Sequence, residues 1–288
     1  MDSIRSDLAI DAAEQLSLTG KNAKKLSGVY LSERSRDGFH VTAITVENEA
    51  AGRTLGKPPG QYITVDLRPY FLRQRGFFAG GIACLRREFT ELLPRPAASD
   101  TVLVVGLGNR NLICDAVGPK TVEHLLVTRH LPGKSFPFSS VAALTTGVVG
   151  QTGIETRELV EGVVHTLSPA AVIVVDALCA RNASRLCTTV QLSDTGLVPG
   201  SGVGNHRAAI NRETLGVPVV AVGIPTVIAD STLAGEQSGK PTQKENPLFL
   251  TPRDIDSRVT ELSRLLGYAI TAALQPSLTA EDITGLLG

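Results

Sequence analysis

The sequence predicts an α/β protein, a three-layer sandwich with a mostly parallel central sheet. Three apolar runs carry this expectation: Thr101-Val-Leu-Val-Val-Gly106, Ala171-Val-Ile-Val-Val-Asp176 and Val217-Pro-Val-Val-Ala-Val-Gly223. Each is closed by glycine or aspartate, the pattern of strands buried on both faces of a parallel sheet. Segments with a helical apolar period alternate with them, which is the order of crossover units.

Composition narrows the function classes. At 288 residues, with 42% hydrophobic and 19% charged side chains, the chain can build a sizeable core of the ordinary globular kind. Its 28 basic and 28 acidic residues cancel, which argues against a broad basic surface, so no direct nucleic-acid binding is expected. No apolar stretch approaches the roughly 18 to 20 residues that span a bilayer. The N-terminus, Met1 to Glu14, lacks the basic-then-apolar order of a secretory signal. A cytoplasmic location without membrane contact is expected. Cys84, Cys114, Cys179 and Cys187 have no C-x-x-C spacing and read as packed free thiols, with Cys114 the one to watch because it precedes Asp115. His124, His130, His165 and His206 lack paired metal-ligand spacing, so neither a metal nor a cofactor is expected.

In chain order, residues 1–27 are polar with a weak helical period near Leu8 to Leu16, and read as a surface arm. Residues 28–288 read as one α/β domain. Gly28 to Ser32 and Phe39 to Val46 alternate apolar and polar residues, a hairpin turning at Arg36-Asp-Gly38. Gly60 to Leu67 is a third such strand. A helix is expected from about Phe78 to Leu93, stopped by Pro94 and Pro96. After the first apolar run, Thr121 to His130 puts Val122, Leu125 and Leu126 on one helical face. Residues 132–140 read as a loop and Val141 to Thr145 as a short strand. Gly147 to Gly153 reads as a glycine-rich turn, and Ile154 to Leu167 as a helix. Thr188 to Asp194 alternates and reads as an edge strand. A glycine loop follows at Gly196 to Asn205, and the third apolar run continues to Asp230. Residues 231–250 form a loop. Thr251-Pro-Arg-Asp254 has the cap, first-turn proline and acid of a helix start, so a helix is expected over 252–274.

Asp115 and Asp176 follow two of the buried runs in comparable positions. Two carboxylates on one edge of a sheet can act as base and acid, because close proximity keeps one of them protonated. On spacing alone, capping of the next turn is the simpler account of each. The glycine motifs complete no phosphate loop: Asn111 stands where Gly106-x-Gly108 would need its third glycine, and Gly200-Ser-Gly-Val-Gly204 is followed by Asn-His-Arg. No serine occupies a G-x-S-x-G elbow.

Many ordered blocks of this sequence resemble the germination (spore) protease family. They are Val104-Val-Gly-Leu-Gly-Asn109, Asp115-Ala-Val-Gly-Pro119, Val127-Thr-Arg-His-Leu131 and Thr152-Gly-Ile-Glu-Thr156. Val174-Val-Asp-Ala-Leu-Cys-Ala-Arg181, Thr188 to Gly196, Pro199 to Asn205, Glu213 to Thr226 and Leu250-Thr-Pro252 follow. The resemblance implies a fold similar to the hydrogenase maturation peptidases. It implies an aspartic-type endopeptidase of small acid-soluble spore proteins, made as a self-processing zymogen and acting in the spore core. It carries the catalytic pair onto Asp115 and Asp176. Within the same blocks, Gly106, Gly108, Asn109, Gly153, Glu155 and Arg181 are the expected substrate contacts. Arg5-Ser-Asp-Leu-Ala-Ile-Asp11 is similar to the self-cleavage site, with Asp7–Leu8 as the scissile bond and about residues 1–7 as propeptide. A homo-oligomer, a tetramer in the family, is implied as well. Cys114 and Cys179 depart from the family's usual proline and alanine, and the region 231–250 is shorter than in most members. Two other readings share the residues: a maturation peptidase that recruits a metal to the same carboxylates for a metalloprotein partner, and a non-catalytic module holding a peptide or nucleotide.

Overall fold

The structure is a computed structural model that describes residues 6–18, 26–71, 77–94, 97, 100–131, 138–203, 207–229 and 248–288. Its centre is one sheet built from β1 (Val29–Arg36), β2 (Phe39–Val46), β3 (Gly60–Asp66), β4 (Thr101–Gly106), β5 (Ser140–Thr145), β6 (Ala171–Ala180), β7 (Thr189–Ser193), β8 (Val219–Ala229) and β9 (Phe249–Leu250). The spatial order is β1-β2-β3-β7-β8-β6-β4-β5, with β9 also paired to β8. β5, β4, β6 and β8 are parallel neighbours, and these include all three apolar runs. The other half, β1-β2-β3-β7, is antiparallel and joins β8 antiparallel. The sheet is therefore mixed, with its parallel half where the sequence places it.

Local chemistry accounts for most elements. Asp37 and Gly38 take φ of 50° and 86°, the two left-handed positions that a tight hairpin between twisted strands requires. β7 is not an edge strand: it lies between β3 and β8 and all five residues are buried. Its alternation reflects a polar row, Thr189, Gln191 and Ser193, that is buried, with Gln191 and Ser193 hydrogen-bonded through their side chains. β6 does not stop at Asp176 but runs to Ala180, paired with β8 through a register shift between Leu178 and Cys179. Pro225 of β8 sits at that irregularity, where a strand residue without an N–H is tolerated.

The helices are α1 (Ala9–Leu18), α2 (Glu49–Leu55), α3 (Arg68–Phe71), α4 (Phe77–Leu92), α5 (Val117–Glu123), α6 (Val149–Thr152), α7 (Thr156–Leu167), α8 (Arg212–Leu215), α9 (Ile255–Leu274) and α10 (Ala280–Leu287). One sheet face is covered by α4, α5 and α9, with Phe89, Leu85, Leu262, Leu265 and Leu266 fully buried against Val104, Ile173 and Val222. The opposite face packs Val160 and Val164 of α7 on Leu103, Val105, Val172 and Val174. The three-layer sandwich is thus complete around the parallel strands.

Three boundaries differ from the sequence expectation. α5 begins at Val117 and ends at Glu123 rather than spanning 121–130, because Pro119 falls in the first turn, where its missing N–H costs nothing. α9 starts at Ile255 rather than 252: the Thr251 hydroxyl donates to the Thr226 carbonyl at 2.9 Å instead of capping. The 147–153 turn holds the single helical turn α6. The sequence reading also passes over α2, capped by Asn48 and closed by left-handed Gly56, and α10, which opens on a Thr279–Asp282 capping box. Most of the expected 231–250 loop and part of 132–140 lie outside the described residues. Among the described residues no helix is long and apolar enough to cross a membrane.

Of the expected surface arm, residues 6–18 pack onto the domain, while residues 1–5 and 19–25 lie outside the described residues. Leu8 and Ala9 are fully buried, as are Asp11 and Ala13. α1 packs with α2 against Ile44, Val46 and Tyr62 of the antiparallel half.

Candidate active site

The site forms where β4 ends and β6 continues. β4 stops at Gly106, aligned with Val175, and the Leu107 amide donates to the Val175 carbonyl at 2.8 Å. That leaves Asp176 one residue beyond the shared ladder, on the free side of β6. A short 3₁₀ turn, Ile113–Asp115, then folds back over this edge. Gly108 makes the return possible. Its φ of +109° belongs to the left-handed half of the backbone map, and a side chain there would fall on the Asp115 carbonyl oxygen and reach Asp115 Oδ1 at 3.0 Å. Gly108→Ala combines both penalties and is expected to destabilise by more than about 3 kcal/mol, checked by denaturant unfolding.

The two predicted aspartates lie at the same end of the parallel strands, and the charge of Asp115 is felt at Asp176. Asp115 is half-buried and accepts the Asn109 amide at 2.8 Å through Oδ2. Burial raises its pKa, while the Asn109 amide and the Arg207 guanidinium pull it back down. Asp176 is only 7% exposed. Its pKa stands well above the usual carboxylate value, chiefly through burial and then through the charges of Asp115 and Asp7. The Ala177 amide, donating at 2.9 Å to Oδ1, and Arg207 oppose this. Two carboxyls with raised pKa values, close enough to repel, are the arrangement in which one holds a proton and the other is ionised. Such a pair can take a proton from water and give one to a leaving amine.

The segment on either side of the Asp7–Leu8 bond lies across this edge. The Asp7 amide donates to the Cys179 carbonyl at 2.9 Å, and the Cys179 amide donates to Asp7 Oδ2 at 2.8 Å. Ser201 Oγ donates to Asp7 Oδ1 at 2.6 Å. Leu8 is buried against Leu178 and Ala180, with Ile10 and Leu186 alongside. Asp11 accepts the Arg181 amide at 2.7 Å and pairs with Arg185 at 2.8 Å.

The other expected substrate contacts divide. A side chain on Gly106 would run into the Gly118 backbone of α5, so this glycine serves strand–helix packing. Asn109 adjoins Asp115, and its side-chain oxygen accepts from Asn111 N and Gln151 Nε2, each at 3.0 Å. Arg181 meets the N-terminal segment through its backbone amide. Gly153 and Glu155 lie exposed between α6 and α7 and make no hydrogen bond or ion pair with either aspartate. Cys114 is half-buried before Asp115, its carbonyl accepting from Thr226 Oγ1, and burial raises its thiol pKa. Cys179 is buried on β6. Among the described residues no group of three or more His, Cys, Asp and Glu side chains is disposed to hold a metal ion.

Sequence reasoning passed over Lys57, Gln191, Ser201, Arg185 and Arg207 as site residues. Gln191 gave no distinct signal, because it shares a polar row with Thr189 and Ser193 that reads as solvent-facing; only its burial shows that its amide needs partners.

The germination protease family model matches residues 6–238, a span holding Asp7, Asp115 and Asp176. The chain belongs to the germination protease family. The germination protease of Clostridium perfringens (strain ATCC 13124) is 34% identical over 328 aligned positions, covering 100% of both chains. That of Bacillus cereus (strain G9842) is 40% identical over 233, covering 78% of this chain and 63% of the relative. Among solved structures, a [NiFe] hydrogenase maturation protease HycI from Thermococcus kodakarensis KOD1 aligns at a TM-score of 0.37 with 19% identity, covering 65% of this chain and 97% of that one.

Proposed function

We propose that this peptidase hydrolyses small acid-soluble spore proteins through Asp115 and Asp176, and that it is made as a zymogen cleaving itself between Asp7 and Leu8. The observation that carries the proposal is the seating of residues 6–11 along the end of β6, with Asp7 near enough to Asp176 for its charge to be felt there. A sequence of acid, apolar, apolar is held there by backbone and side-chain bonds, as a peptide substrate would be.

In this mechanism the ionised member of the pair accepts a proton from a water whose oxygen bonds to the carbonyl carbon of residue 7. The C–N bond to residue 8 then breaks, and the protonated member supplies the proton that makes the leaving nitrogen an amine. Asp176, the deeper group with the stronger upward pKa shift, suits the acid. Asp115, held by the Asn109 amide, suits the base. The proposal includes action in the cytoplasm of the spore and assembly into a homo-oligomer, both supported by family membership alone.

The test is direct. The purified chain, incubated between pH 4 and 8, is expected to lose residues 1–7 and to gain Leu8 as its N-terminus, read by intact mass and N-terminal sequencing. A chain that stays whole at every pH and leaves spore-protein peptides uncut would sink the proposal.

A further inference from the structure

The carbonyl of Asp7 sits in a cradle that the two aspartates do not supply. Lys57 Nζ donates to it at 2.8 Å and also to the Ser6 carbonyl at 3.2 Å. Gln191 Nε2 donates to the same Asp7 oxygen at 3.1 Å. The other end of the Gln191 amide accepts from the Ala9 amide at 2.6 Å. One side chain thus grips the peptide on both sides of the Asp7–Leu8 bond, and a cation closes on the carbonyl between.

Both donors are built into the fold rather than borne on free loops. Gln191 is 7% exposed in β7. It is aligned with Gly223 of β8, which is in turn aligned with Asp176 of β6. Directly paired residues share a sheet face, so Gln191 and Asp176 rise from the same face with only a glycine between them. The space over Gly223 is filled by Leu178, which a side chain at Gly223 would strike. Leu178 is also the residue on which Leu8 packs. Lys57 arrives from the turn between α2 and β3, just past left-handed Gly56. Burial lowers its pKa, while Asp7 and Asp11 support its charge. A cation held out of water has no evident use in holding an arm already anchored by Leu8, Asp11 and the Cys179 backbone. It has one where negative charge develops.

We propose that Lys57 and Gln191 form the oxyanion-stabilising pair of this peptidase, for its own Asp7–Leu8 bond and for substrates that take the place of residues 6–11. The inference rests on the proposed cleavage at that bond. When the water oxygen adds to the residue 7 carbon, the carbonyl π pair moves onto the oxygen. The Lys57 ammonium and the Gln191 N–H then face a full negative charge, with distances already in the range such donors use. The charge returns to the carbonyl as the bond to residue 8 breaks. No proton leaves either donor. Gln191 also sets register, because its Oε1 accepts a backbone N–H two residues beyond the scissile carbonyl.

Lys57→Met keeps the length of the side chain and removes the cation. The first-order rate of N-terminal loss is expected to fall about 10² to 10³-fold, the effect of deleting one such donor. On a peptide with the sequence of residues 1–18, kcat is expected to fall by the same factor while KM stays within a few-fold. Lys57→Arg, which keeps the charge, should recover part of the rate. Thermal unfolding checks that the variants fold, and Lys57→Gln replaces Lys57→Met if the methionine form does not. Self-cleavage of the variant at the unaltered rate, or a change confined to KM, overturns the oxyanion role. If the unaltered chain cleaves and Asp176→Asn does not, the aspartate reading stands whichever way Lys57 falls. If the unaltered chain never cleaves, both readings fail together.

Discussion

Asp176→Asn is expected to reduce both self-cleavage and peptide hydrolysis by at least about 10³-fold, within the range that loss of a positioned acid or base produces. The same change is expected to make the folded chain more stable at neutral pH. Asp176 is buried beside Asp115 and Asp7, so its folded pKa stands well above 3.8. Between that value and its folded pKa, the folded state holds a proton that the unfolded state has released. Stability from this group is therefore greatest at low pH and is lost as pH rises through the window. Asn cannot ionise and escapes the loss. We expect Asp176→Asn to be more stable than the unaltered chain at pH 7, and to show little difference from it near pH 3. Asp115, also raised, contributes with the same sign. Calorimetric unfolding across pH, set beside the cleavage rate, separates a destabilised catalytic acid from a structural cap. An aspartate that served only as a cap would keep its activity on becoming asparagine and show no such pH-dependent gain, since the two residues cap about equally well.

The parallel half of the fold was legible because its strands are apolar on both faces, so β4, β6 and β8 stand out as runs without any partner being known. Asp115 and Asp176 could be placed at one edge by the same reasoning. The resemblance to a family, rather than their spacing, favoured a catalytic pair over two caps. Other features depended on partners that only the folded chain brings near. β7 alternates like an exposed strand because Thr189, Gln191 and Ser193 bury polar groups, and Gln191 finds its bonds in residues 7 and 9, which are distant in sequence. β6 passes through Asp176 because β8 continues beside it, a property of the neighbour and not of the Ala-Leu-Cys-Ala that follows. The N-terminal segment reads as polar surface because its buried face is only Leu8, Ala9 and Ala13. The acid at Asp11, an ordinary mark of exposure, is instead buried and paired with Arg185. Lys57 carried no local signal at all, since its role depends on a carbonyl fifty residues away.

Leu8→Lys is expected to divide the two consequences of that N-terminal segment, as substrate and as obstruction. Leu8 is fully buried among Leu178, Ala180, Ile10 and Leu186. An ammonium there finds no partner among these side chains and must either lose its proton or leave with the segment. If undocking is the cheaper course, a preference of about 2.7 kcal/mol lowers the docked population a hundredfold. Self-cleavage at Asp7–Leu8 then slows by about that factor, because the proposed mechanism acts on the bond only when the segment is docked. Hydrolysis of an added peptide by the same intact chain moves the other way, since residues 6–11 no longer fill the place a peptide would take. The sheet should survive, because the buried side chains that α1 gives to the core it shares with α2 are only Ala9 and Ala13, with Ile10, Ala12 and Leu16 partly buried at its margin. Initial rates of both reactions on freshly purified, uncleaved chain provide the measurement. A fall in both would mean that the segment supports the site it covers, and an unchanged rate of self-cleavage would mean that the Leu8 pocket plays no part in presenting the bond.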